Sequence, residues 1–241
     1  MKTASHLQDG KAVSANLNTS LHYAHLERTV RQAARALGRH GLVHAYGHCS
    51  QRLDSNSFLV CAPKPMATIG TNDKGSVVSL DGDLPPGVLG EVRIHREIYR
   101  RRPDVGGIVR SMPPKVMSLS ALGRTPRRLH GMGAYFVPEI PLWDDPQLIR
   151  DDASAEQLAQ LIAANTALVM RGNGAIVAAP SLEEAVVLTW YLEDAARIEI
   201  DCLPEANLAQ ELSQDEARQR ATKSGRIFER MWDYLTYMDP E

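Results

Sequence analysis

Apolar residues recur along this chain with two periods, and the switches between them mark out the elements. Leu26, Val30, Ala33 and Leu37 keep helical spacing. Thr19 or Ser20 stands where a cap is needed and Gly38 or Gly41 where a stop is needed, so an opening helix is predicted there. Phe58-Leu-Val-Cys61 reads as a strand, and so does Ser76-Val-Val-Ser-Leu80, which lies between the turn clusters Asn72-Asp-Lys-Gly75 and Asp81-Gly82-Asp83. In the central stretch, Glu91, Ile94, His95 and Ile98 fall at i, i+3, i+4 and i+7 and predict a helix that directs a carboxylate and an imidazole inward with two isoleucines. Arg93, Arg96, Arg100 and Arg101 fall off that face and are expected in solvent. Pro103-Asp104 ends the helix, since proline lacks an N–H and pushes its predecessor out of the α region. From Val105 to Met112 the period becomes two, with Ile108, Arg110 and Met112 on one face and Val105, Val109 and Ser111 on the other.

Pro113-Pro114 breaks that strand and opens a short helix through Val116, Leu119 and Leu122 that stops at Gly123. Residues 125–143 are rich in Gly and Pro and read as irregular. Ser154-Ala-Glu-Gln157 and Ser181-Leu-Glu-Glu184 are capping boxes that open helices, and Ser213-Gln-Asp-Glu216 opens another that leads to Trp232 and Tyr234. Ala167–Met170 and Ala175–Ala178 form a hairpin across Arg171-Gly-Asn-Gly174, where the Asn-Gly step accepts the positive φ values of a tight turn. This alternation of helices and short strands predicts an α/β layered domain. Three segments are expected: a flexible N-terminal arm at 1–18, one domain at 19–204 and a helical tail at 205–241.

Composition narrows the function classes. With 241 residues and 44% hydrophobic content, the chain can bury one large core. The 27 basic and 29 acidic residues leave a net charge of −2, which gives no basic patch for nucleic acid and no attraction to a membrane surface. The three cysteines, Cys49, Cys61 and Cys202, are widely spaced and match neither a disulfide framework nor a thiolate zinc site. No apolar run is long enough to span a bilayer and the start has no signal-peptide core, so a cytoplasmic protein is expected.

Three places carry candidate chemistry. Glu91 and His95 form an acid/base pair beside Arg110, or else a satisfied polar pair at a helix edge with Arg110 snorkelling from an edge strand. Gly47-His48-Cys49-Ser50-Gln51-Arg52 is either an anion cradle or a loop-to-strand turn whose Ser and Arg satisfy backbone groups. His130 is the one residue of its irregular stretch able to move protons near neutral pH, or it is a surface histidine. Lys64, between Pro63 and Pro65, is expected in solvent rather than as a Schiff-base nucleophile.

Taken together, GHCSQR at 47–52, EVRIHREIYRRRPDVGGIV at 91–109, the PP and SLSALG pieces within 113–123, and LVMRGNGAIVAAPSLEEAV from Leu168 resemble the class II aldolase/adducin family across roughly residues 22–202. The central wording and the tail look most like its decarboxylase branch, which acts on pyridine or dihydroxyphthalate acids and ring-cleavage products. The resemblance implies an α/β/α layered fold with a mainly antiparallel central sheet, a homotetramer with sites at subunit interfaces, and a tail around Trp232 and Tyr234 that covers a neighbour's pocket. It also implies a zinc or manganese ion held by His-x-His and a third His. In this chain those places hold Arg110, Met112 and Asn173, and none of them replaces an imidazole ligand. The Ser-Ser that binds phosphate in the family is Leu89-Gly90 here, which disfavours a sugar phosphate.

By resemblance, Glu91 is the acid/base group, and His48, Ser50 and Arg52 belong to the loop that receives the substrate's carboxylate. The expectation is therefore a lyase without cofactor acting on a small carboxylated aromatic or vinylogous keto acid. In it Arg110 with Asn173 stabilises the enolate that the family's metal would hold, and Glu91, helped by His95, delivers the proton that replaces CO2; His130 completes the binding set. Two alternatives stay open: a dehydratase, isomerase or cyclase that uses the same enolate, and a non-catalytic scaffold like the adducin head.

Overall fold

The structure, a computed structural model, describes the backbone of residues 5–241 and side chains from residue 21 onward. The N-terminal arm expected at 1–18 lies outside the described residues for its first four positions and, for the rest, outside the described side chains. Seven helices are described: α1 (Ser5–Arg39), α2 (Arg93–Arg101), α3 (Pro114–Ala121), α4 (Asp152–Ile162), α5 (Leu182–Asp201), α6 (Gln214–Arg220) and α7 (Ile227–Leu235). The strands are β1 (His48–Arg52), β2 (Ser57–Val60), β3 (Ser76–Ser79), β4 (Gly107–Ser111), β5 (Leu142–Trp143), β6 (Ala167–Met170) and β7 (Gly174–Ala179).

The strands form one sheet in the order β3-β2-β1-β4-β7-β6-β5. Every pairing is antiparallel except the short β5 against β6. Both faces are covered. On one side Val30, Ala33 and Leu37 of α1, Leu119 of α3, Val186 and Leu192 of α5 and Phe228 and Leu235 of α7 share a core with Cys49, Val109 and Val177 of the sheet. On the other, Ile94, Ile98 and Tyr99 of α2 and Leu158 and Ile162 of α4 pack on Phe58, Ile108, Leu168 and Ile176. The strands bury both faces, so β6 and β7 read as near-continuous apolar runs, and β4 is buried throughout although it carries Arg110 and Ser111. This is the α/β/α layered, mainly antiparallel fold expected.

Several local expectations give way to tertiary context. α1 begins at Ser5 rather than at Thr19 or Ser20. Asp151 caps α4, accepting from the Ser154 N–H, so the helix starts one turn earlier than a Ser154 box requires. The segment after Ser213 is two helices: α6 ends at its C-cap Ala221, whose ψ of 76° leaves the helical region, and α7 starts after Arg226 with its left-handed φ of 55°. Arg96 is 3% exposed and lies in the protein rather than in solvent, donating to the Gly82 carbonyl and to Asp152. In the β6–β7 loop, Gly172 and Gly174 take the positive φ values while Asn173 keeps a negative one, so Asn173 is there for its side chain.

Candidate active site

Strand register builds the site. β1 and β4 pair so that His48 lies opposite Arg110, and β4 and β7 pair so that Arg110 lies opposite Ile176. Side chains alternate along a strand, so His48 and Ser50 stand on the α2 face with Arg110. Two glycines let the chain close around them. Gly47 has φ of 140°, and a Cβ there would lie 2.7 Å from Val43 and 3.1 Å from the Arg110 carbonyl oxygen. A Cβ on Gly174 would lie 2.0 Å from the Ser111 carbonyl oxygen, so this glycine lets the β6–β7 loop bring Asn173 beside β4.

Arg110 is 2% exposed. Its Nη2 donates to Asn173 Oδ1 at 2.7 Å and lies 3.1 Å from Glu91 Oε2, while Asn173 Nδ2 donates to Glu91 Oε1 at 3.4 Å. The three side chains thus close a ring around one guanidinium nitrogen. The other two, Nε and Nη1, are buried and have no partner among the described residues. Burial lowers the guanidinium pKa and the neighbouring Glu91 charge opposes that. Glu91 itself sits in a one-turn 3-10 segment, Gly90–Val92, that leads into α2, rather than in the helix proper.

Behind this ring runs a buried chain of polar groups. His48 Nδ1 is 2.9 Å from His95 Nε2, His95 Nδ1 is 2.6 Å from Ser50 Oγ, and Ser50 Oγ is 3.1 Å from the Tyr99 hydroxyl, which donates to the Ser50 carbonyl. His95 and Tyr99 are one turn apart on α2, which is why both reach the same strand. Burial and the Arg110 charge hold the His95 pKa down at about 3. Burial, His95 and Arg110 together hold His48 well below its ordinary value, so both rings are neutral. The His48 Nε2 atom is buried without a partner.

These groups border a cavity of about 670 Å³ that is lined by His48, Glu91, Arg110 and Asn173. Leu89, Met112, Leu148, Pro63 and Pro65 supply its apolar wall, and Tyr46, Lys64 and Arg150 also line it. Lys64 is half-exposed and paired with Asp73 at 2.7 Å, in keeping with the solvated reading.

Of the eight residues expected to form the site, four therefore meet at one cavity and four do not. His95 and Ser50 sit one layer back and reach the cavity only through His48, and no hydrogen bond joins His95 to Glu91. Arg52 is a correction. It stands on the same strand face as His48 but four residues away, roughly 13 Å along the strand. Its Nε donates to the Val105 carbonyl and its Nη2 to those of Tyr99 and Arg102, so it caps the end of α2 instead of holding substrate. His130 is another: its Nε2 lies 2.8 Å from Asp194, and it lines a different cleft with Glu216 and Arg220. Tyr46, Leu148 and Arg150 were not singled out in the sequence, and a tyrosine and an arginine in loops carry no periodic signal that would mark them.

A divalent metal does not fit this donor set. The family's first ligand place is filled by a guanidinium, which has no lone pair to give and repels a cation. The third place is Asn173, whose amide oxygen already accepts from Arg110. No group of three or more His, Cys, Asp or Glu side chains among the described residues is set to hold a metal ion.

Comparison with known proteins agrees with the architecture. The sequence model of the Class II Aldolase and Adducin N-terminal domain matches residues 28–200. The chain is similar to the 3,4-dihydroxyphthalate decarboxylase of Arthrobacter keyseri, with 26% identity over 186 residues that cover 69% of this chain and 74% of that one. It is also similar to the decarboxylase tropJ of Talaromyces stipitatus, at 23% over 198 residues, 71% of this chain and 74% of that one. Among solved structures it superposes on the L-fuculose-1-phosphate aldolase of Thermus thermophilus with a TM-score of 0.67 and 26% identity, covering 78% of this chain and 98% of the other. With that match across most of its length and the α/β/α sheet order above, the chain belongs to the class II aldolase and adducin family.

Proposed function

We propose that this protein is a carbon–carbon lyase that decarboxylates a small carboxylated aromatic or vinylogous keto acid without a metal, with Arg110 holding the developing enolate. The single observation that carries the reading is Arg110 itself: a buried guanidinium on the cavity wall with Nε and Nη1 unpartnered. Buried polar groups are paired in native proteins unless something else pairs them, and a planar cation with free donors fits a carboxylate or an enolate oxygen. The relatives named as decarboxylases support the reaction class.

The chain's own groups suffice for the sequence of steps. The substrate's carboxylate lies against His48 Nε2, and its enolic oxygen lies against Arg110. Glu91, 3.1 Å from Arg110, takes the enolic O–H proton and returns it to the carbon that bears the carboxylate. That carbon–carboxylate bond then breaks, CO2 leaves, and the electron pair moves to the oxygen as an enolate that Arg110 and Asn173 stabilise; solvent supplies its proton. Donors placed before charge develops are worth about 3–4 kcal/mol each in activation energy. Because Arg52 caps α2 and His95 acts only through His48, the anion is held by His48 and Arg110 rather than by His48 and Arg52.

Release of CO2 from a panel of hydroxylated aromatic and dienoic acids tests the proposal. Glu91→Gln should lower kcat at least about a hundredfold while circular dichroism stays unchanged. Wild-type turnover in that variant would sink the acid/base assignment, and turnover without CO2 would point to the isomerase or dehydratase class.

A further inference from the structure

The cavity carries more positive charge than one carboxylate can use. Three cations line it, Arg110, Lys64 and Arg150, against the single carboxylate of Glu91. Two of them are already balanced: Arg110 by Glu91 at 3.1 Å and Lys64 by Asp73 at 2.7 Å. Arg150 is exposed and, among the described residues, forms no ion pair and donates no hydrogen bond. Yet it is not on a loose segment. Its neighbour Ile149 is 2% exposed in the α2–α4 core, and the next residue, Asp151, caps α4. The Arg150 Cγ lies 3.9 Å from where a Gly90 Cβ would be, so its stem runs past the residue that precedes Glu91. An anchored backbone and an unpaired guanidinium at the cavity place a permanent positive charge where no group of the described residues answers it.

We infer that Arg150 binds a second anionic group of the substrate, so that the site selects small planar acids with two carboxylates over those with one. This rests on the carboxylate reading above: the first anion is taken by His48 and the free Arg110 donors, and Arg150 is a specificity residue that sorts among acids which already fit there. The apolar wall of Leu89, Met112 and Leu148 takes the body of a planar ring between the two charges. An acid with one carboxylate leaves Arg150 hydrated, whereas a dicarboxylate exchanges that hydration for a charge-assisted, two-pronged contact.

Calorimetric titration with unreactive probes tests it: benzoate against phthalate, isophthalate and terephthalate, at one ionic strength, on wild type, Arg150→Gln, Arg150→Lys and Arg110→Met. Wild type should bind at least one dicarboxylate about tenfold more tightly than benzoate, as a charge-assisted contact provides. Arg150→Gln should collapse that preference to within about twofold, Arg150→Lys should keep part of it, and Arg110→Met should weaken all the acids together. An unchanged preference in Arg150→Gln, or an equal loss for benzoate and the dicarboxylates, overturns the role of Arg150 and leaves the proposed function standing. Failure of all four acids to bind wild type overturns both.

Discussion

Arg110 gives up most of its hydration and recovers only one nitrogen's worth of partners inside the protein. Leaving a buried charge half-satisfied costs free energy, and such an arrangement persists where a ligand completes the set. Arg110→Met alone would strand the Glu91 carboxylate, so the stability test is the double variant Arg110→Met/Glu91→Leu, which should hold or raise the melting temperature, since a buried ion pair replaced as a whole by apolar groups is often lost without cost. The single variant Arg110→Met should lose CO2 release altogether; if it still turns over while the double variant melts lower, Arg110 is a structural residue. His48 and His95 yield a prediction with a definite sign. Both fold with depressed pKa values, from burial first and neighbouring positive charge second. As pH falls through about 6.5 the unfolded chain takes up protons at both rings and the folded chain does not, so acid favours unfolding. Stability should drop by about 1.4 kcal/mol per pH unit per ring below that point, for His95 until its folded ring titrates near about 3. Denaturant midpoints between pH 5 and 6.5 report it ahead of most carboxylate titration, and His95→Gln should flatten the slope. A profile equally steep in that variant would place the titrating groups elsewhere.

At the scale of elements, the β1–β4 register and the α2 face do the assembling. One residue of slip would move His48 and Ser50 to the α1 side of the sheet, away from Arg110 and the cavity. Gly47 marks the tight entry to β1, and Gly47→Ala should destabilise by about 1–3 kcal/mol, because φ of 140° is closed to alanine and its Cβ would meet Val43. Chemical denaturation measures this, and an unchanged midpoint would mean the entry relaxes freely. Much at this scale was legible in the sequence, because α2 and β4 show clean periods that put His95 and Arg110 inward, while Glu91 reaches the cavity from the 3-10 turn before α2. What was hidden came from long-range partners. Arg96 looked solvated until Gly82 and Asp152 are seen to cover it, and Arg52 looked like a substrate ligand until the α2 carbonyls are seen to claim it. Asp151 displaced Ser154 as a cap because both are good caps and the choice depends on how the loop arrives. Arg150 and Tyr46 lie in loops, where only the folded chain reveals what they border.

Across the whole molecule, the C-terminal segment is tied to the first helix. Arg35 pairs with Asp239 at 2.6 Å and Arg31 with Glu241 at 2.5 Å, and their other donors reach the carbonyls of Ile69 and Asp73 in the loop that carries Lys64. Arg35→Ala leaves the covered Asp239 carboxylate with Arg39 as its one ion-pair partner and should cost about 3 kcal/mol. Thermal melting checks this, and a neutral outcome would show the latch to be dispensable. No described helix is long and apolar enough to cross a membrane. The exposed Tyr234, Tyr237 and Met238 at the end of α7 are the apolar surface on which the homotetramer implied by the family resemblance is proposed to close, and light scattering on the purified protein gives its mass directly. The central claim is that Arg110 does the work of a metal. The most direct test is elemental analysis of the purified protein for metal per subunit, with CO2 release followed before and after exhaustive chelation. Near-zero metal with undiminished decarboxylation is the result this account predicts. Stoichiometric zinc or manganese whose removal abolishes turnover would contradict it.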